Sequence, residues 1–163
     1  MTKILFVCLG NICRSPMAEF VFKDMVKKRG IEKEFYIESA GTSSEEVGNP
    51  VHYGTRKKLQ QVGISVDGKY ARKITKEDYN KFDYIIGMEE HNISSILRIV
   101  GNDIEGKVSR LLDYSNNPRD IADPWYTHNF DITYEDIVEG CEFLLRKLGY
   151  WTQVDSAMIW RFT

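Results

Sequence analysis

The sequence is short of the residues that would staple, anchor or chelate it. Three cysteines in a chain of 163 residues are too few, and odd in number, for a disulfide framework. That count fits a reducing compartment better than a secreted domain. Histidines are equally scarce, at three, and no pair of cysteines or histidines repeats at the spacing a structural metal needs. No apolar run approaches the ~20 residues that span a bilayer. The N-terminal KILFVCLG also lacks the length and small-residue cleavage site of a signal peptide. A formal net charge of −2 leaves no basic excess for general nucleic-acid binding, and the runs KDMVKKRG and GTRKKLQQ read as solvated helix faces. Repeats, low-complexity tracts and linkers are also missing. The expectation is one soluble, cytoplasmic, monomeric domain without cofactor or metal and without a nucleic-acid or membrane partner.

What is present alternates between two periodicities. KILFV, from Lys3 to Val7, is a nearly continuous apolar run, as in a central parallel strand covered on both faces. A helix should follow with Ser15 as N-cap and Pro16 at its first position. Ala18, Val21, Phe22 and Met25 form its apolar stripe, and Gly30 its stop. EFYIESA reads as a second strand, and NPVHYGTRKKLQQVG as a helix capped by Asn49 and ended by Gly63. FDYIIGM and KVSRLL are further strands, with a helix from Glu89 to Val100 between them. In the last helix Tyr134, Ile137, Val138, Cys141, Leu144, Leu145 and Leu148 share one face. Strands separated by helices imply right-handed crossovers and a parallel sheet with helices on both sides, a single α/β domain. One irregular stretch, Asp113 to Asp131, is long enough to suggest function.

The chemistry concentrates in VCLGNICRSP, which begins at Val7. A strand, a tight loop and a helix start aim backbone N–H groups at an anion. The loop lacks the Gly-Lys-Ser/Thr ending of a Walker motif and instead has the spacing C-x5-R. Donors from Leu9 to Arg14 could ring three phosphate oxygens while the Arg14 fork binds two of them. Cys8 would then face phosphorus. A helix N-terminus and a neighbouring arginine both favour thiolate, and a thiolate beneath a phosphoryl group is an in-line nucleophile.

These residues resemble the active-site loop of the low-molecular-weight protein tyrosine phosphatases. The likeness continues in order through ESAGT, GNP, ARKITKEDYNKFDYIIGM and DPWY, from about residue 3 to 149. It implies a four-stranded parallel twisted sheet flanked by helices, with the phosphate-binding loop after strand 1, no metal, and a cysteinyl-phosphate intermediate. Carried over by position, Cys8 is the nucleophile, Arg14 the transition-state clamp and Asp123 the general acid and base. Leu9, Gly10, Asn11, Ile12, Cys13 and Ser15 complete the phosphate-binding loop, and Ser39 joins Asn11 and Ser15 in supporting it. Leu9, Trp125 and Tyr126 would line the slot for an aromatic ring. The implied substrate is a phosphotyrosine-containing protein or an aryl phosphate. Two positions depart from the family: Glu45 stands where a bulky pocket residue is common, and Lys69 where some members support the loop with histidine. The phosphatase domain should span residues 1–150, leaving 151–163 as a tail of unassigned role. Cys13, five positions from Cys8 along a curled loop, is placed to trap an oxidised Cys8 as a disulfide and so protect it.

Other readings of the same residues are weaker. A cysteine protease would need His52, His91 or His128 in a catalytic context that none of them has. A Cys8–Cys13 metal site lacks two further ligands, and Cys141 lies on an apolar stripe. A silent phosphopeptide-binding module would not need the full set of Cys8, Arg14 and Asp123. Arsenate reduction on this fold relays a disulfide to cysteines after the second helix, and Gly63 to Val100 holds none. The phosphoarginine branch of the family has threonine where Ile12 stands. A branched apolar side chain there suits a phenyl face and offers nothing to a guanidinium. Ile12→Thr should therefore raise turnover of phosphoarginine relative to phosphotyrosine by about tenfold, the scale of discrimination one pocket contact supplies. Parallel assays on the two substrates check this, and an unchanged ratio would place selectivity elsewhere, Glu45 included.

Overall fold

The computed structural model describes residues 1–150; the tail assigned to 151–163 lies outside the described residues. Four parallel strands form one sheet: β1 (Thr2–Cys8), β2 (Phe35–Gly41), β3 (Tyr84–Gly87) and β4 (Val108–Arg110), in the order β2-β1-β3-β4. Six helices accompany it: α1 (Arg14–Lys28), α2 (Tyr53–Gln61), α3 (Asp78–Lys81), α4 (Glu90–Val100), α5 (Pro124–Thr127) and α6 (Phe130–Lys147).

The continuous apolar run of β1 is explained by its central place. Ile4, Leu5, Phe6 and Val7 are all 0% exposed, each side chain contributing roughly 1.5–3 kcal/mol over an exposed one. Successive side chains point to opposite faces. Ile4, Phe6 and Cys8 enter the larger core with α1 and α6, including Met17, Phe22, Ile137 and Leu144. Leu5 and Val7 enter the smaller core with Ile85 of β3, Ile96 and Val100 of α4, and Phe82 just after α3. Helices thus cover both faces, as the alternation of elements requires.

Among the boundaries that differ from the sequence expectation, three have a clear physical reason. Helix α1 begins at Arg14 with Cys13 as N-cap, so Pro16 falls at its third position, where its missing N–H still leaves no intrahelical bond unmade. The Ser15 hydroxyl is drawn under the preceding loop instead of capping. Helix α2 begins at Tyr53 with His52 as cap. Asn49 and Pro50 are diverted to pairing, because Asn49 O accepts from Ala71 N and Pro50 bridges Tyr70. Strand β4 stops at Arg110, and Leu111 and Leu112 turn inward in a 3-10 turn, Leu111–Tyr114, that packs on α6. Gly30, at φ 70°, follows the end of α1 as read, and α6 buries Ile137, Cys141, Leu144 and Leu145 completely.

Gly140, inside α6, is where that 3-10 turn meets the helix. A Cβ on it would lie 2.5 Å from Leu111 Cγ and 3.1 Å from both Leu111 methyl carbons. Alanine would gain about 1 kcal/mol of helix propensity, but overpacking a filled core costs about 1–3 kcal/mol. Leu111 is fully buried with nowhere to move, so the steric cost wins. Gly140→Ala should lose about 1–2 kcal/mol in denaturant unfolding, with Tm down by about 3–6 °C. A stabilised variant would mean that Leu111 can give way.

Candidate active site

The turn between β1 and α1 is held from outside by its own carbonyls. Cys8 O accepts from Thr42 N at 2.9 Å, Leu9 O from Ser43 N at 2.9 Å, and Ile12 O from His52 N at 2.8 Å. Cys13 O accepts from Thr55 Oγ1 at 3.1 Å. The backbone N–H groups of Gly10, Asn11, Ile12 and Cys13, by contrast, have no acceptor among the described residues. A loop whose carbonyls are committed outward and whose amides are unpaired is a receptor for an anion. Close approach of β2 makes it possible: a Cβ on Gly41 would sit 2.7 Å from Leu9 O.

Asn11 fixes the turn. It is buried and left-handed, at φ 60°, a conformation asparagine tolerates better than most residues. Its amide is fully used: Nδ2 donates to Ser15 Oγ at 2.8 Å and to Ser39 Oγ at 2.9 Å, and Oδ1 accepts from Arg72 N at 3.1 Å. Ser15 Oγ lies 3.1 Å from Cys8 Sγ. Ser39 Oγ in turn donates to Glu19 Oε1 at 2.5 Å. Lys69 Nζ closes the network, donating to Ser39 O at 2.8 Å and lying 3.5 Å from Glu19 Oε1. Burial pulls the Lys69 ammonium below its ordinary pKa, against the opposing pull of Glu19.

Arg14 is buried at the mouth of α1. Its Nη1 donates to Glu89 Oε2 at 2.7 Å and to Ile121 O at 2.8 Å, and Nη2 reaches Asp123 Oδ2 at 3.4 Å. Burial works against its charge, but Cys8, Glu89 and Asp123 together outweigh it and raise the guanidinium above its usual range. Asp123 N-caps α5 through Oδ1, which accepts from Trp125 N at 3.0 Å. The Cys13 thiol is pushed up to about 12 by burial first, then by Cys8 and Asp123, against Arg14 and Thr55.

Cys8, Leu9, Gly10, Ile12, Cys13, Arg14, Glu45, Asp123, Trp125 and Tyr126 line one pocket of about 160 Å3, with Ser43 and Glu46 beside them. Asn11, Ser15 and Ser39 lie beneath it, away from the lining. Leu9, Trp125 and Tyr126 are 41%, 51% and 74% exposed, so apolar surface faces the entrance. Sequence reasoning passed over Glu89, the Ile121 carbonyl, Glu19, Thr55 and Glu46. Arg72 lay within the quoted ARKITKED segment, but its backbone bond to Asn11 had no local signal. No group of three or more His, Cys, Asp or Glu among the described residues is placed to hold a metal. Among the same residues, no helix is long and apolar enough to cross a membrane.

Fold and site define an α/β protein built around an anion-receiving loop that carries a cysteine at the end of its first strand. A profile of the family described as "Low molecular weight phosphotyrosine protein phosphatase" matches residues 3–154. The chain is 45% identical over 150 residues to the low molecular weight protein-tyrosine-phosphatase YfkJ of Bacillus subtilis, covering 91% of this chain and 96% of that protein. The crystal structure of YfkJ superimposes with a TM-score of 0.87 at 43% identity, over 92% of this chain and 98% of that one. The structure of a Drosophila arginine phosphatase also matches, with a TM-score of 0.83 at 30% identity, over 93% and 100% of the two chains. This chain belongs to the low molecular weight phosphotyrosine protein phosphatase family.

The Asn11 geometry separates backbone strain from hydrogen bonding. Asn11→Ala should destabilise by about 2–5 kcal/mol, combining left-handed strain of ~1–2 kcal/mol with the ~1–3 kcal/mol of leaving buried partners unpaired. Asn11→Gly should cost about 1 kcal/mol less, because glycine takes positive φ freely. Denaturant unfolding of the two variants checks this; equal losses would mean that strain has no part in the choice of asparagine.

Proposed function

We propose that this chain hydrolyses phosphotyrosine in proteins, and simple aryl phosphates, through a cysteinyl phosphate. The observation that carries the reading is that Gly10, Ile12, Cys13 and Arg14 line one pocket with Cys8, while the amides from Gly10 to Cys13 have no acceptor among the described residues. Such donors serve the charge on a transferring phosphoryl group. The Cys8 thiolate attacks phosphorus, a sulfur–phosphorus bond forms, and the phosphorus–oxygen bond to the tyrosine ring breaks. Asp123 gives its proton to the departing oxygen. As carboxylate it then takes a proton from water, whose oxygen attacks the phosphorus, releasing inorganic phosphate and restoring the Cys8 thiolate. Ser15 supports the sulfur from below, and Leu9, Trp125 and Tyr126 flank the ring.

The apolar Ile12 in the pocket lining favours an aryl ester over phosphoarginine, even though an arginine phosphatase shares the fold. The absence of cysteine from Gly63 to Val100 disfavours arsenate reduction. Residues 1–150 constitute the catalytic domain on this reading, working as a cytoplasmic monomer. Under peroxide, Cys8 is oxidised to the sulfenic acid, and the Cys13 thiol displaces water from it to form the disulfide. The raised Cys13 thiol fits the partner that is oxidised second rather than first.

Asp123 supplies the test. Tyrosine leaves as a phenolate whose conjugate acid has a pKa of about 10, so a general acid should contribute about 10²–10⁴-fold. Asp123→Asn keeps a side chain able to cap α5 and should slow phosphotyrosine hydrolysis by about that factor. Across aryl phosphates of increasingly acidic leaving groups, the loss in kcat/KM should shrink toward nothing. The same loss along the whole series would remove Asp123 from the role of proton donor.

A further inference from the structure

Helix caps are normally Ser, Thr, Asp or Asn; the cap of α2 is a histidine. His52 Nδ1 accepts from Gly54 N at 3.0 Å, which leaves the ring proton on Nε2. Any of the usual caps would make that bond. What histidine adds is a ring, and the ring is used on two sides. One face stacks on Phe130, at 5.6 Å between centroids and 12° between planes. Its other contact is edge-on with Trp125, at 5.5 Å and 72°. Phe130 comes this close only because residue 54 is glycine: a Cβ there would lie 2.2 Å from the Phe130 ring.

The main chain of the same residue reaches the opposite half of the site, since His52 N–H donates to Ile12 O at 2.8 Å. One residue therefore joins the anion loop, the start of α2, the start of α6 and the aromatic wall, although it does not itself line the pocket. The wall needs such a brace. Helix α5 has four residues, Pro124–Thr127, too few to hold a helix unaided. Trp125, one of its two pocket residues, is 51% exposed.

We propose that His52 is a positioning residue that sets the distance between the phosphate loop and the Trp125 wall, and thereby the preference for a phosphate carried on an aromatic ring. This rests on reading the pocket as an aryl phosphate site. Inorganic phosphate, which uses only the loop, separates the wall from the loop. A short alkyl phosphate, which does not reach the wall, should be indifferent to the His52 ring.

Two substitutions divide the residue's functions. His52→Asn keeps a capping acceptor and removes the ring; His52→Phe keeps a ring and removes the acceptor. His52→Asn should raise KM for an aryl phosphate by about three- to tenfold, the scale of one aromatic pair. Its inhibition constant for inorganic phosphate should stay within about twofold of the wild type, as expected when the loop contacts are untouched. His52→Phe should return KM for the aryl phosphate close to wild type while lowering the melting temperature through the lost cap. An unchanged KM in His52→Asn would overturn the proposal. So would a phosphate inhibition constant that rises in step with KM, since the substitution would then be acting through the loop, or a failure of His52→Phe to restore KM while phosphate binding is normal. If the wild type binds phosphate and hydrolyses no aryl phosphate, the proposed function falls, and the role of His52 with it.

Discussion

A guanidinium removed from water governs this structure. Arg14 is 2% exposed, and an ion so placed costs several kcal/mol unless it is paired and hydrogen-bonded. Its partners come from distant parts of the chain. Glu89 stands between β3 and α4, Ile121 offers a carbonyl while its own N–H is tied to Met88 O, and Asp123 opens α5. Cys8 lies at the end of β1. The arginine is satisfied only when the C-terminal ends of β1 and β3 and the long loop after β4 have all assembled. Its compensation and the completion of the site are therefore one event.

Under the loop the same logic applies to a second buried charge. Glu19 is 3% exposed, and it is met by Ser39 from β2 and by Lys23 and Lys69 from either side. From Glu19 runs a chain of neutral groups, Ser39, Asn11 and Ser15, that ends at the Cys8 sulfur. With both amide hydrogens and the amide oxygen of Asn11 bonded, the turn has one conformation available. The length of the Lys69 side chain lets it bond the Ser39 carbonyl of β2 directly.

How much of this was legible depended on whether the cause was local. The apolar run of β1 and the stripe of α6 announce themselves because their periodicity is a property of consecutive residues. The C-x5-R loop is legible for the same reason, and so was its company of Cys8, Arg14 and Asp123 once several motifs agreed in order. The hydroxyl of Ser15 stands before a proline like any helix cap; only Asn11, folded back in a left-handed turn, diverts it. Asn49 and Pro50 carry every mark of a helix start, yet the backbone near Tyr70 and Ala71 takes them first. Glu19 sits four residues before Lys23 and looks like half of a solvated pair. Its burial comes from β2. The bond between Arg14 and Glu89 spans 75 positions and has no local trace.

The two halves of the site are attached to parts of the protein with very different local stabilities. Cys8 ends a strand whose four preceding residues are wholly inaccessible to solvent and which is hydrogen-bonded on both sides. Amides in such a strand exchange with solvent only when the whole domain opens, so the nucleophilic half shares the global free energy of unfolding. Asp123 and Trp125 belong to a single turn of helix on an exposed loop, with Pro124 its one buried member. A turn of that kind belongs to the low end of the range of local stabilities. The two sides of the pocket should therefore differ in amide protection, the floor exchanging with global unfolding and the wall ahead of it.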